Sequence, residues 1–526
     1  MKSKNYSDKL LSKLSHIKLV KYKQKKNIVI FSRHHINSTI RQVILAKCFN
    51  KLLKTRAIAV CEKKGDKSDL FYKKLNFDEI IYFSEFFNKR KLNFFLNLKI
   101  FFGFLKEFIR ILFLNNYIDI FIKKFKYKNI LLGDLIYDTY IRHDFKFLNL
   151  NRFKCAISFF RLYYIAKCKI DFIEKINNYY KPKKIIISSK GFISSGCLAL
   201  RYFSVKKKKP IFFADNSYKI YKNNEYLYSF HNITKDDLKK VKASKKKSEI
   251  IKYFDRKYNK LELNENTFVK YHIIENAYKK KNNKKKFFID SSQKIVILAL
   301  NAFSDSPHYQ GKLLFRDFYE WIEETLKFIS KNNILNVTWL VKVHPAQFKT
   351  DRMSYDEIII VKKLIQKYKS NNIRMISDEI SNPKLFSLAT HCITCVSTIG
   401  LEFACHGKKP IICGDAIYNG LGFTNCILNK NKYFNTLKNL PNTNKLNMSE
   451  IHSAKSVIFL LDKIKQNELS IKNNLLPFRY NKSKAANDNE YIFDLYHKLK
   501  NNNQKITDNE YYKKVFNVTK HIFSKS

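Results

Sequence analysis

Apolar and polar positions along the chain alternate between two periods. A short apolar run at 27–32 (NIVIFS) precedes a stretch of helical periodicity at 38–53 and a second apolar run at 57–60. Brief apolar runs between polar turns predict buried strands, and apolar residues at i, i+3 and i+4 between them predict helix. The alternation continues with strand candidates at 79–83, 185–188 and 210–214, and with helical stretches at 157–180 and 196–203. Strand, helix, strand repeated in this way predicts a parallel sheet wound with helices.

The pattern breaks at 234–286, where DDLKKVKASKKKSEI and KKKNNKKK leave few sustained apolar runs. This composition predicts a basic connector carrying a helix or two. A second alternating series follows, with strands at 294–300 (KIVILAL), 337–343 (VTWLVKV), 373–376, 392–396 and 410–413, and helices at 315–330, at 356–368 and from about 399. Beyond 449 the residues read as terminal helices. The expected organisation is a Rossmann-like domain at 1–233, a basic connector at 234–290, a second wound domain at 291–450 and terminal helices at 451–526. The fold class is therefore α/β, two wound parallel-sheet domains expected to face a cleft where strand C-termini and helix N-termini gather.

Composition changes this picture in three ways. The 526 residues hold 101 Lys and Arg against 44 Asp and Glu, a net charge of +57, and 45% hydrophobic residues exclude a disordered tail. Lys, Asn, Ile, Phe and Tyr crowd the chain while Gly is 11 and Trp is 2, as AT-rich codon usage would produce, so the charge is discounted as functional evidence. The scarcity of acids still predicts attraction to acidic glycans, anionic lipid or polynucleotides. Ten cysteines without a paired framework fit a reducing interior. Neither a signal-peptide core nor a membrane span is recognisable, so a cytoplasmic protein is expected. The stretch 94–114 is an amphipathic helix with a wide apolar face, with Lys99, Gly103, Lys106 and Arg110 at helical spacing. That face either packs on its own domain or rests on the anionic inner face of a membrane.

Five of the 11 glycines lie between Gly400 and Gly422, in CVSTIGLEFACHGKKPIICGDAIYNGLGFT. Glycine is needed where φ is positive or where a ligand nears the backbone, which makes this segment a site candidate. Ser397 and Thr398 stand where a helix N-cap belongs, and hydroxyls with free N–H groups there suit a nucleotide phosphate. Gly400 lets the chain come close, and Glu402 either accepts hydrogen bonds from sugar or ribose hydroxyls or simply favours the helix dipole. Lys342 and His344, at the end of VTWLVKV before Pro345, are placed to meet a phosphate oxygen or protonate a leaving group. The loop NAFSDSPH after KIVILAL brings Asp305 and His308, which either line the same cleft or form a turn before a helix. In GDLIYDTYIR, Asp138 or Asp134 could act as general base for an acceptor hydroxyl, and Arg142 could grip an anionic group. Weaker candidates are Arg33, His34 and His35 after the first strand and Ser188, Ser189, Lys190, Gly191 and Phe192 after a later one. His391, Cys392 and Cys395, with Cys405 and His406, invite a zinc reading, but residues 392 and 395 of a strand face opposite ways and no second CxxC follows, so no metal site is expected. Walker A and GxGxxG fingerprints are missing, which lowers ATPase and dinucleotide readings.

Together, the NAFSDSPH loop, the strand end at Lys342 to Pro345 and the series S-T-x-G-L-E, G-K-K-P-I-I, G-D-A-I-Y and G-F-T resemble the capsule polysaccharide biosynthesis family, bacterial GT-B enzymes related to the β-Kdo transferases of capsule export. GDLIYDTYIR is similar to a stretch of surface-carbohydrate members. The resemblance covers roughly 301–424 and, less closely, 133–142. The doubled lysine in Gly407-Lys408-Lys409-Pro410 departs from the family pattern, which more often has one residue between Gly and Pro.

The resemblance implies a GT-B-like, metal-independent glycosyltransferase that moves a sugar from a nucleotide-activated donor to a surface polysaccharide or glycolipid. It implies that His344, Ser397 and Thr398 bind donor phosphate and that Glu402 meets the ribose or sugar. The expected partners are a nucleotide sugar, with a CMP-linked donor favoured, an acidic or lipid-linked glycan acceptor and the anionic inner membrane, with no specific nucleic acid. The rivals are a CDP-glycerol-type polyol-phosphate transferase and a non-catalytic basic protein that binds polyanions or membrane.

Overall fold

The computed structural model describes residues 26–475 apart from the stretches 222–232, 259–293 and 345–355 and some short breaks. Arg33, His34, His35, Ser189 and Lys190 lie outside the described residues. The chain divides into two compact units, the first built on residues up to Tyr140 and on Leu150–Tyr226, the second on Ile141–Asn149 and Leu227–Asp462.

In the first unit the apolar runs become strands β1 (Asn27–Phe31), β2 (Arg56–Cys61) and β3 (Glu79–Tyr82), with helix α1 (Ile36–Leu53) crossing between the first two. Every residue of β1 is buried, because a strand in the middle of a wound sheet is covered on both faces. Helices α2 (Phe83–Lys91), α3 (Phe94–Leu112) and α4 (Tyr117–Lys124) follow, then a small hairpin of β4 (Lys126–Tyr127) and β5 (Ile130–Leu131). Next come α5 (Gly133–Ile141), the long α6 (Arg152–Tyr180), β6 (Lys184–Ile187), α7 (Ser195–Tyr202), β7 (Ile211–Ala214) and β8 (Tyr218–Tyr221). The sheet order is β3-β2-β1-β6-β7-β8, so strand order reverses between β1 and β6. All neighbours are parallel except β8, which pairs antiparallel with β7 where a wholly parallel sheet was expected.

The second unit opens with α8 (Lys235–Ser244) and α9 (Lys247–Tyr258). These two helices lie in the stretch expected to be a basic connector carrying a helix or two; Val241 and Ile250 are buried with Phe459, and Lys242 Nζ donates to Ser453 Oγ at 2.8 Å. Sparse apolar positions in a lysine-rich stretch are enough to seat two helices on a neighbour, because the lysine stems leave the apolar face intact. The core follows as β9 (Lys294–Ala299), α10 (Phe318–Asn332), β10 (Val337–Lys342), α11 (Asp356–Lys367), β11 (Ile373–Met375), α12 (Asn382–Leu388), β12 (His391–Thr394), α13 (Ile399–Cys405), β13 (Ile411–Ile412) and β14 (Asn425–Cys426). Helix α14 (Lys430–Lys438) and the first part of α15 (Met448–Leu475) complete it; among the described residues one helix begins at the expected terminal segment, and 476–526 lie outside the described residues. The order β11-β10-β9-β12-β13-β14 repeats the first sheet's plan, now wholly parallel. In register, Ile297 of β9 stands between Leu340 of β10 and Cys392 of β12. These side chains join Leu385, Phe386 and Phe403 in one buried cluster, which fixes the sheet against α12 and α13.

Candidate functional site

In a doubly wound sheet, ligands gather at the strand C-termini where strand order reverses. In the second unit that point lies between β9 and β12, and three loops leave the sheet there. The first loop follows β9, the second is the end of β10 with His344, and the third is the corner between β12 and α13. Hydrogen bonds tie them together. Leu300 N donates to Lys342 O at 2.9 Å, Thr394 Oγ1 donates to Ala299 O at 2.7 Å, and Val396 N reaches Asn301 Oδ1 at 3.4 Å.

The loop after β9 is held by a group the sequence reading missed. Glu357, fully buried in the first turn of α11, accepts from Phe303 N at 3.0 Å and Ser304 N at 3.2 Å. With both oxygens so engaged, Glu357 is a positioning residue. Asp305 is exposed beside this anchor, and His308 is half-buried on the 3-10 turn Pro307–Tyr309. His344 is half-buried one residue beyond Val343. Burial lowers its imidazole from the ordinary value of 6.5, the Asp305 carboxylate partly restores it, and Lys342 lowers it further. The loops therefore bring Asp305 and Lys342 within electrostatic reach of His344, and the imidazole is neutral near pH 7.

At the corner, Thr398 is the N-cap residue of α13, but its side chain makes no capping bond. Ser397 Oγ meets Ile399 N only at the 3.5 Å limit. The helix that follows spans Ile399–Cys405, so its field is that of about two turns, and the strong dipole expected of a long helix is not available. What the corner offers a ligand is the exposed Thr398, the half-buried Ser397 and the half-buried Glu402 in the first turn.

The corner's shape depends on Tyr418, a buried ring whose hydroxyl donates to Ser397 O at 2.6 Å. A Cβ on Gly400 would stand 2.4 Å from that hydroxyl, which explains why glycine occupies the position. Gly400→Ala is expected to cost about 1–3 kcal/mol through overpacking. Adding Tyr418→Phe removes the clashing oxygen and recovers part of the loss. Urea unfolding of the three proteins checks this, and a Gly400→Ala midpoint equal to wild type would refute it.

The departure at Gly407-Lys408-Lys409-Pro410 has a structural use. Lys408 Nζ donates to the carbonyls of Phe386 and Ala389 at the C-terminal end of α12, where a cation is favoured. Lys409 Nζ lies 3.9 Å from Glu450. Cys392 and Cys395 are both buried, and burial pushes both thiols up. Among the described residues no three His, Cys, Asp or Glu side chains come together as metal ligands.

The first unit treats its chemistry differently. Asp134, considered for acceptor binding, has both carboxylate oxygens taken by Arg201, Oδ1 from Nη1 and Oδ2 from Nη2, each at 2.7 Å. Arg201 Nη1 also donates to Leu131 O at 2.6 Å. The pair fastens α5 to α7, so Asp134 is corrected to a structural anchor. Asp138, considered as a catalytic base, is only 2% exposed, which encloses its carboxyl among protein groups and away from an incoming hydroxyl. Arg142 is exposed just beyond α5. At the reversal between β1 and β6, Ser188 is fully buried. The start of α7 is filled from within, because Glu62 Oε1 accepts from Ser195 Oγ at 2.6 Å and from Lys169 Nζ at 2.8 Å. Burial alone would push the Glu62 carboxyl up, but Lys169 and Ser195 hold it below its ordinary value. An external phosphate at that helix start would meet a resident carboxylate.

Residues 217–458 match the model of a family described as capsule polysaccharide biosynthesis protein. No curated protein matches the chain. Among solved structures, similarity is found to the β-Kdo 2,7 transferase of KpsC from Thermosulfurimonas dismutans, with 16% identity over 54% of this chain and 79% of that one and a TM-score of 0.29. A glycosyltransferase from Rickettsia africae ESF-5 is 11% identical over 84% of this chain and 98% of that one, with a TM-score of 0.25. Anabaena Alr3699/HepE, solved with UDP and glucose, is 9% identical over 85% and 98%, with a TM-score of 0.26. All three strand-end loops lie inside the stretch that matches the family model, residues 217–458.

Proposed function

We propose that the chain is a glycosyltransferase of GT-B type that moves a sugar from a nucleotide-activated donor to a capsule-like surface polysaccharide or glycolipid. The observation that carries the reading is the convergence of the β9 loop, His344 and the Ser397 to Gly400 corner at the strand-order reversal of the unit matched by the family. In the transfer, the bond from the sugar's anomeric carbon to the donor phosphate oxygen breaks, a bond from that carbon to the acceptor oxygen forms, and negative charge grows on the departing phosphate. Lys342, the His344 imidazole and the N–H groups of the corner stabilise that charge. Ser397 and Thr398 hold the phosphate with their hydroxyls, and Glu402 accepts from ribose or sugar hydroxyls. Asp305 and His308 flank the sugar, and one of them takes the acceptor proton. The acceptor is an acidic or lipid-linked glycan, whose charge suits the basic surface. Arg142, exposed just beyond α5, is its anionic contact. The donor is CMP-linked.

A thermal-shift screen of the full chain against CMP, CDP, UDP and GDP tests this. A ligand that binds only the folded state raises the melting temperature, by the equivalent of about 2.7 kcal/mol at a hundredfold excess over Kd. CMP is expected to give the largest shift. A response to CDP alone would favour transfer of a polyol phosphate, and one to UDP or GDP would replace the donor base. If no nucleotide acts while a single-stranded oligonucleotide gives a salt-sensitive shift, the transferase reading fails.

A further inference from the structure

The strongest unexplained surface lies on the first unit, and it is independent of the transferase reading. Helix α3 satisfies its own domain with one stripe of side chains. Ile100, Phe104, Phe108 and Leu112 recur every fourth residue and are buried. Phe104 meets Tyr163 of α6 with ring centroids 5.3 Å apart, and Phe108 meets Phe121 of α4 at 5.6 Å. With the inward face filled, the helix still carries Phe95 at 83% and Phe102 at 60% exposure, with Leu98 and Ile109 also exposed. Phe101 links this surface to α6. Its ring lies 5.7 Å from Phe102 and 5.1 Å from Phe160, and Ile157, one turn before Phe160, is 60% exposed.

The flank beside these apolar residues is basic. Lys99, Lys106 and Arg110 are all exposed and, seven and four positions apart, share one side of α3. Lys154 and Arg161 are exposed on α6. The acid on α3, Glu107, stands 3.8 Å from Arg110. No helix among the described residues is long and apolar enough to cross a membrane.

We propose that the outward face of α3, with the start of α6, docks the protein on the surface of an anionic lipid bilayer. Large apolar side chains bordered by lysine and arginine match the boundary between acyl chains and phosphate headgroups, the first buried and the second paired. A second copy of the chain is the poorer occupant, because an isologous contact would set these basic flanks against each other. A nucleic acid would leave the aliphatic Leu98 and Ile109 without a counterpart. The two apolar helices thus lie in the plane of the interface, and the basic flank selects the leaflet charge.

Flotation of the full chain with vesicles decides the matter. Wild type is expected to float with phosphatidylcholine vesicles containing about a third phosphatidylglycerol and to stay behind with phosphatidylcholine alone. The double variant Phe102→Asp, Ile109→Asp is expected to lose binding to the anionic vesicles at least about tenfold, because two buried apolar side chains become charges. Lys99→Glu with Lys106→Glu weakens binding and flattens its salt dependence. Both pairs alter exposed residues, so their melting temperatures stay near wild type; should the first pair unfold, the lysine pair decides alone. Equal flotation of wild type and the intact variants overturns the proposal, since the general basic charge would then account for binding. So does failure of wild type to prefer anionic vesicles, or sedimentation showing a dimer that Phe102→Asp, Ile109→Asp splits without lipid.

Discussion

His344→Ala is expected to abolish the nucleotide-dependent rise in melting temperature and to lower turnover by about 10²–10⁴-fold, while stability without ligand changes little. The residue stands at a strand end, half-buried, with Lys342 and Asp305 acting on its ring. Burial, the main cause of its lowered pKa, leaves a neutral imidazole whose ring N–H can donate to a phosphate oxygen. Binding a phosphate there must raise the imidazole pKa again, because an anion favours the charged form. By linkage, nucleotide binding then takes up a proton, so affinity tightens as pH falls from neutral toward the lowered value of the free protein. The nucleotide's own titration weakens affinity over the same range but acts equally on a His344→Gln variant. The difference in slope between the two proteins isolates the imidazole. Titrations at several pH values should show that difference, and matching slopes with matching affinities would remove His344 from the donor site. The stability term has its own sign. A histidine with a lowered folded pKa contributes stability above the ordinary value of 6.5 and loses it as pH falls through the folded value, so His344→Gln should be less acid-sensitive than wild type.

Much of this site was legible before any coordinates, because each loop is continuous in sequence. A strand such as KIVILAL followed by NAFSDSPH announces both the sheet and the residues at its end, and β9 ends one residue before the expected strand does. What could not be read is how loops far apart in sequence hold each other. The Asn301 side chain meets the amide of Val396, and Glu357 anchors a loop some fifty residues before it, through hydrogen bonds with no periodic trace. Tyr418 sat inside a recognised motif, yet its bond to Ser397 O depends on how the chain turns through Gly414. A helix or two was expected in the lysine-rich stretch, but their packing was obscured by lysine, whose charge dominates composition while Val241, Ile250 and Phe254 are buried. In GDLIYDTYIR the error was of another kind. Paired acids suggested catalysis, but the partner that claims the first, Arg201, lies sixty-seven positions away.

That pairing sets the second large effect. Replacing Arg201 by Met should destabilise the first unit by about 3–5 kcal/mol, because it leaves the Asp134 carboxylate buried without its cation. The loss has three parts: two bidentate bonds to Asp134 and the bond to Leu131 O in the β4–β5 hairpin. Leu135 N, which donates to Asp134 Oδ1 at 2.9 Å, keeps its acceptor but cannot neutralise it. Replacing both members, Asp134→Leu with Arg201→Met, exchanges a buried ion pair for apolar volume and should recover most of the stability, since desolvating two charges offsets much of their attraction. Lys at 201 should fall between, one point charge in place of a planar fork. Denaturant unfolding of the three variants reads these differences directly. An Arg201→Met loss below about 1 kcal/mol would mean that the pair is solvated, and Asp134 would return as a candidate for the acceptor. With the expected order, a loosened α5 should also displace Arg142, the exposed residue just beyond it, and so raise the KM for an anionic acceptor while nucleotide affinity stays unchanged.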